Sequence, residues 1–265
     1  MIAEWVAAAL LVQAGAPVFA PPPGAMLTLE IDHRQTEAGK PEKHYRSARR
    51  IVFEREGAGW RATLTHGGAS VDAPGDAFAR AMAATLAQPI VYRLDAAGAV
   101  TGVDSIDAVW TRFVAAMRTT VGERAAAPLV ALPAEARLGM LRSLIADVIE
   151  ARAAGEGPFP AEPIDLPAAP IAAGAAPAML PGTRMAARVG NRLEVTLKAG
   201  GPLGQPAGAT SSIDRTTRID PATGLLDRRR ERVVTHLADG TVALSRDMTL
   251  TLRYPGTRRE TRREP

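Results

Sequence analysis

The sequence contains no cysteine. That excludes disulfides, thiolate nucleophiles, cysteine-ligated zinc and a lipid anchor on cysteine. Aromatic residues make up only 4% of the 265 residues, which leaves little for the stacking platforms that hold bases or sugars. Lysine is scarce too: Lys40, Lys43 and Lys198 are the only ones, and arginine supplies the other cations. With a net charge of +4 and abundant alanine, this excess reads as compositional bias rather than polyanion binding, so nucleic acid is not an expected partner.

Familiar catalytic patterns are missing as well. There is no Gly-x-Ser-x-Gly, His-Glu-x-x-His, Ser-x-x-Lys or Asp-Thr-Gly, and no glycine-rich phosphate loop followed by Lys-Ser/Thr. His33, His44, His66 and His236 are never spaced i, i+2 or i, i+4, so no local metal clamp exists. His33 and His66 each extend the apolar face of a strand, which fits solvated strand ends better than ligands. Asp104 and Asp107 stand at a helix start, where capping and the macrodipole explain them. No catalytic residue, metal or cofactor is therefore expected, and binding is favoured over catalysis.

What remains is globular in character, 46% hydrophobic and 23% charged. Val6–Val12 is a short apolar run followed by Ala14, Gly15 and Ala16, and Val18-Phe19-Ala20 ends in a small side chain. The run is too short to cross a bilayer and resembles the core of a signal peptide over residues 1–20. Glu4 in place of a basic residue and Pro21 after Ala20 argue for processing a few residues earlier, or for a start further upstream. The expectation is a periplasmic or secreted protein.

Beyond Pro21-Pro22-Pro23, Leu27, Leu29, Ile31 and His33 alternate with Thr28, Glu30, Asp32 and Arg34, the pattern of a half-buried strand. Strands at 45–55 and 60–66, joined by Gly57-Ala58-Gly59, complete a meander. Asp76 can cap a short helix to residue 87, and 90–94 with 100–103 form a hairpin. Ile106, Val109, Trp110, Phe113, Val114 and Met117 make an amphipathic helix over 104–121. Leu138, Leu141, Leu144, Ile145, Val148 and Ile149 make a second over 134–153. Seven prolines between 155 and 182 suggest a linker or surface strap. Strands resume over 183–254, and 255–265 reads as a frayed tail.

The last hairpin allows a register prediction. A turn at Asp239-Gly240 sets Arg228, Arg230 and Arg232 opposite Thr251, Thr249 and Asp247 on a wet face. Arg246 then interrupts the apolar face of Val242, Leu244, Met248 and Leu250, so it must pair with Glu231 or meet an anionic ligand group.

The stretch Phe78–Phe113, with Pro89-Ile90-Val91-Tyr92-Arg93-Leu94-Asp95 and Gly98-Ala99-Val100 before an amphipathic helix, resembles uncharacterised exported bacterial proteins. Its layout is similar to the LolA/LolB-type lipoprotein carriers. That resemblance implies a curved antiparallel sheet plugged by helices, and no functional residue transfers with it.

The expected fold is thus a single α+β domain over 21–265. It has a curved, half-barrel-like antiparallel β-sheet, with amphipathic helices packed on its concave face. The leading functional expectation is an envelope-associated binding protein accommodating a lipid or other apolar ligand between sheet and helices. Trp110, Phe113, Arg246 and Glu231 are the candidate ligand-binding residues, and an envelope protein is a further possible partner. The alternatives are an interaction module using the proline-rich strap or the arginine face, and a hydrolase with a dispersed site.

Overall fold

The computed structural model describes residues 19–71, 77–150, 156–168, 178–204 and 206–256. The leader up to residue 18, Asp76, the middle of the proline-rich stretch and the tail from residue 257 lie outside them.

Among the described residues the chain forms β1 (Met26–Glu37), β2 (Lys43–Glu56) and β3 (Gly59–Val71). Helix α1 (Ala77–Thr85) and the hairpin β4 (Ile90–Leu94) and β5 (Val100–Val103) follow. Then come α2 (Ile106–Val121), α3 (Glu123–Val130) and α4 (Ala134–Ala146). The second half contributes β6 (Phe159–Pro167), β7 (Met179–Val189), β8 (Arg192–Pro202), β9 (Thr210–Asp220), β10 (Leu225–His236) and β11 (Val242–Arg253).

All eleven strands belong to one open antiparallel sheet, ordered β5-β4-β3-β2-β1-β11-β10-β9-β8-β7-β6. Each half of the chain is a meander, and the two meet where β1 pairs with β11, Thr28 opposite Arg253 and Leu29 opposite Leu252. Alternation sorts the side chains. Leu27, Leu29, Ile51, Phe53, Leu64, Tyr92, Leu250 and Leu252 all fall on one face and are buried. Met82 of α1, Val109, Trp110, Phe113 and Val114 of α2, and Leu141, Leu144 and Ile145 of α4 join them in one core. The helices therefore cover one face of the first meander and of the β10–β11 end next to it. A second cluster, Leu180, Leu197, Ala199, Ile213 and Val233 with Leu203 and Ala209, contains no helical residue.

Three expectations are corrected. The helix expected over 134–153 ends at Ala146. Ile149 forms a bridge with Leu225, Leu226 N–H donates to Val148 O at 2.9 Å and Glu150 N–H to Gly224 O at 2.9 Å. Pairing of β10 with β11 begins only at Arg228, so the free edge at Leu225 takes the β-branched residues 148–149 in place of another helical turn. The stretch 155–182 is not only a strap: residues 159–167 are β6, and Met179 opens β7. Pro160, Pro163 and Pro167 cannot donate to a ladder, and β6 accommodates them because it is an edge strand bonded on one side. Asp104 does not cap α2; it accepts from Arg93 Nε at 2.6 Å, while Ser105 (φ 50°) is the N-cap residue without a side-chain cap bond.

The start of the described chain is part of the core. Phe19 is 5% exposed, and its ring meets Phe53 and Trp60 edge-on at 5.7 and 5.8 Å. Gly98 (φ +86°) lies against it: a Cβ there would stand 2.6 Å from Phe19 Cγ. Gly98→Ala combines a left-handed alanine with overpacking of a ring, an expected loss of about 3 kcal/mol in urea unfolding. Gly102→Ala, with open space around its Cβ and an ordinary φ, is the control and is expected to change stability by less than about 1 kcal/mol.

Candidate functional site

The helix-facing side of the sheet is apolar at one end of β1 and polar further along. Arg49 of β2 occupies a position two residues before buried Ile51 and reaches the end of α4, where its Nη1 donates to Leu144 O at 2.8 Å. A carbonyl in the last turn has no helical donor, so the half-buried guanidinium satisfies it and meets the negative end of the helix dipole. Burial holds the Arg49 guanidinium below its ordinary pKa, against the opposing influence of Asp147 and Tyr92. Tyr92 donates its hydroxyl to Leu141 O at 2.9 Å, and burial raises its pKa well above the usual tyrosine value.

Beyond α4, Arg229 of β10 binds two carboxylates from the segment that follows the helix. Its Nη1 donates to Asp147 Oδ1 at 2.6 Å and its Nη2 to Glu150 Oε1. Two residues further on, Glu231 is buried and binds two arginines from the neighbouring strands. Arg215 Nε of β9 donates to Glu231 Oε2 at 2.7 Å, and Arg246 Nη2 of β11 to Oε1 at 3.2 Å. The expected Arg246–Glu231 pair therefore forms. The sequence reading missed Arg215. Its signal was the alternation of Ile213, Arg215 and Thr217, which places Arg215 directly opposite Glu231 once β9 and β10 pair.

Trp110 and Phe113 lie elsewhere. Each is 4% exposed, their rings are 5.2 Å apart, and Trp110 Nε1 donates to Leu129 O at 3.1 Å. Both are packed into the helix-covered core, and no described contact links them to Glu231 or Arg246.

A groove of about 400 Å³ opens between α4 and the β4–β5 turn. Its walls are Ala97, Gly98, Ala99 and Val100 on the hairpin, with Ala146 and Ile149 on the other side. Among the described residues, Arg142 is the one ionisable residue lining it. The hairpin wall is held by Asp95, whose Oδ1 accepts from the N–H groups of Ala97 and Ala99 at 2.9 and 2.8 Å. The opposite wall is held by the Ile149–Leu225 bridge. The groove's volume falls in the range of small-molecule sites, and its apolar walls suit an aliphatic or aromatic body.

His33 and His66 do not converge. His33 stacks on its cross-strand neighbour Tyr45 at 5.5 Å, whereas His66 stands opposite Arg49, four residues further along β2. Among the described residues no group of three or more His, Asp and Glu side chains is placed to hold a metal ion. No helix among them is long and apolar enough to cross a membrane.

No protein-family model matches the sequence, and no curated protein matches it. Similar solved structures share little with it. A lipovitellin structure concerned with lipid–protein interactions aligns over 88% of this chain at 10% identity and a TM-score of 0.39. The chain spans only 25% of that lipovitellin chain. A LolA superfamily protein from Nitrosomonas europaea aligns over 91% of this chain and 88% of its own, at 11% identity and a TM-score of 0.16. A DUF3598-family protein of unknown function from Nostoc punctiforme covers 84% of this chain and 94% of its own, at 9% identity and a TM-score of 0.14. The chain is thus similar, weakly, to a LolA superfamily protein and to lipovitellin, and its site rests on its own residues.

Proposed function

We propose that this protein is an exported, non-catalytic binding protein that holds the apolar part of a small ligand between α4 and the β4–β5 turn. The observation that carries the reading is the groove of about 400 Å³ whose described lining has one ionisable residue, Arg142. Arg142 would face an anionic or polar end of the ligand, while Val100, Ala146 and Ile149 meet its hydrocarbon. These residues replace Trp110 and Phe113 as the proposed apolar contacts, because the latter two are packed against one another inside the core. Glu231 is already held by both Arg246 and Arg215, and on this reading the three brace the sheet.

Titration with 1-anilinonaphthalene-8-sulfonate, an apolar ring system bearing one anionic group, tests the proposal. Saturable binding is expected, abolished by Ala146→Trp, which fills the groove from an exposed helical position. Arg142→Gln should weaken it about 10-fold, the worth of one charge-assisted hydrogen bond. A neutral probe such as N-phenyl-1-naphthylamine should be indifferent to Arg142→Gln. Binding that survives Ala146→Trp unchanged, or no saturable binding at all, sinks the reading.

Export is part of the proposal and rests on the apolar leader at Val6–Val12. The burial of Phe19 supports cleavage upstream of that residue, since removal of 1–20 would take its ring out of the core. N-terminal sequencing of the protein recovered from a periplasmic fraction would locate the cut.

A further inference from the structure

Phe19 and Ala20, just ahead of β1, are neighbours in sequence, and each touches the support of a different wall of the apolar groove. The Phe19 ring, 5% exposed, lies so close behind Gly98 that a Cβ on the glycine would stand 2.6 Å from Phe19 Cγ. Gly98 itself lines the groove on the hairpin side. The ring is fixed in turn by Phe53 and Trp60, edge-on at 5.7 and 5.8 Å. The hairpin wall is thereby backed by a packed aromatic surface, and it cannot move relative to that surface without a clash or a void.

Ala20 reaches the other way. Its N–H donates to Thr223 O at 3.0 Å, in the turn between β9 and β10. Gly224, the next residue of that turn, accepts from Glu150 N–H at 2.9 Å, and Leu225 forms the bridge with Ile149. Ile149 lines the groove on the α4 side. Two consecutive residues thus link the hairpin wall, through a ring contact, to the opposite wall, through a short run of backbone hydrogen bonds. The segment is anchored further along as well, since Gly24 N–H donates to Phe53 O at 2.8 Å and Pro23 bridges Phe53. Arg229 holds Asp147 and Glu150 from the sheet, which fixes one wall alone. What Phe19 and Ala20 add is the spacing between the two. A groove whose walls are already spaced spends none of its binding energy on ordering them.

We propose that Phe19 and Ala20 are positioning residues that set the width of the groove, so that a chain cut between Ala20 and Pro21 binds an apolar ligand poorly. This rests on the groove as the ligand site, and it makes the point of N-terminal processing a determinant of affinity.

Titration of N-phenyl-1-naphthylamine into the full chain and its variants tests it, at a temperature where circular dichroism shows each one folded. Leu197→Ala is the control: Leu197 is buried in the second cluster and does not line the groove, so its truncation lowers stability without touching either wall. Phe19→Ala should weaken binding about 10-fold, and Phe19→Leu, which refills most of the space behind Gly98, by no more than about 3-fold. Leu197→Ala should leave it within about 2-fold. Equal weakening by Phe19→Ala and Leu197→Ala, or unchanged affinity in Phe19→Ala, overturns the proposal.

Hydrogen exchange reads the walls without a ligand. Asp95 N–H donates to Ala99 O in the hairpin turn, and Glu150 N–H to Gly224 O on the other side. In Phe19→Ala both should exchange about 10-fold faster relative to amides of the β8–β9 ladder, and in Leu197→Ala neither should. Should the wild-type chain not bind the probe, the groove fails as a ligand site, and exchange alone judges the spacing role. Faster exchange at both amides sustains that role, and unchanged exchange at either one overturns it.

Discussion

Arg229→Met is expected to destabilise the protein by about 3 kcal/mol near neutral pH, and by far less near about pH 4. Its guanidinium is 11% exposed and binds both Asp147 and Glu150. Removing it leaves two carboxylates side by side at the end of α4. The cost sits at the low end for a broken buried pair because Asp147 stays 35% exposed to water.

The pH dependence follows from Glu150. Burial, the largest influence, holds its carboxyl above the ordinary glutamate value; Arg229 pulls it down, and Asp147 adds to the rise. A carboxyl raised in the folded state binds more protons there than in the unfolded chain. Its contribution to stability is present below the unfolded value and is lost as pH rises through the folded one. Without Arg229 the folded value climbs further, so the variant loses more than the wild type as pH increases. In acid, with Glu150 protonated in both states, the two stability curves should converge. Urea denaturation across this range measures it, and a loss of the same size at every pH would show that packing, not charge, is responsible. Glu150→Gln in the Arg229→Met background should recover about 1 kcal/mol or more, because the uncompensated charge is gone.

Phe53→Ala should cost about 4 kcal/mol, the largest expected effect of a single truncation in this core. The ring is fully buried, meets Phe19 edge-on, and lies on a strand whose Phe53 carbonyl accepts from Gly24 N–H at 2.8 Å. Phe53→Leu retains most of the volume and should cost no more than about 1.5 kcal/mol. A double-mutant cycle with Phe19→Ala should reveal a coupling of about 1 kcal/mol, the worth of an edge-to-face pair beyond its area. Independent losses that simply add would mean that the Phe19 ring sits elsewhere in solution. A chain beginning at Pro21 should show the loss of Phe19→Ala, which makes stability a second way to judge where processing falls.

The sequence was most informative where one local rule acts without competition. Asp239-Gly240 and strict alternation set the β10–β11 register, and Arg228, Arg230 and Arg232 oppose Thr251, Thr249 and Asp247 as expected. Only near the turn does it slip, with an irregularity between Thr235 and His236. Where two rules competed, the pattern misled. Val148 and Ile149 continue the helical stripe of α4, yet a free strand edge at Leu225 captures them. Prolines in the stretch 155–182 suppress any strand signal, although an edge strand needs bonds on one side only. The polar network was the least legible part. Arg49, Arg215 and Arg229 each interrupt an otherwise ordinary strand face, and their partners lie on elements far away in sequence. Only the strand order, which alternation does not encode, brings Arg215 to Glu231 or Arg229 to Asp147.

That strand order also governs how the chain reaches its fold. Each meander assembles from hairpins between neighbours in sequence, a short search with little loop entropy to overcome. The seam at the middle of the sheet is different, because it brings residue 28 against residue 253, nearly the whole length of the chain apart. Until it closes, β1 and β11 are two long bare edges, each able to template a strand from another molecule. In the finished protein the edge at β6 is blunted by prolines, and the edge at β5 is only four residues long. The aggregation hazard therefore belongs to folding rather than to the folded state, and it is confined to the interval before the two halves join.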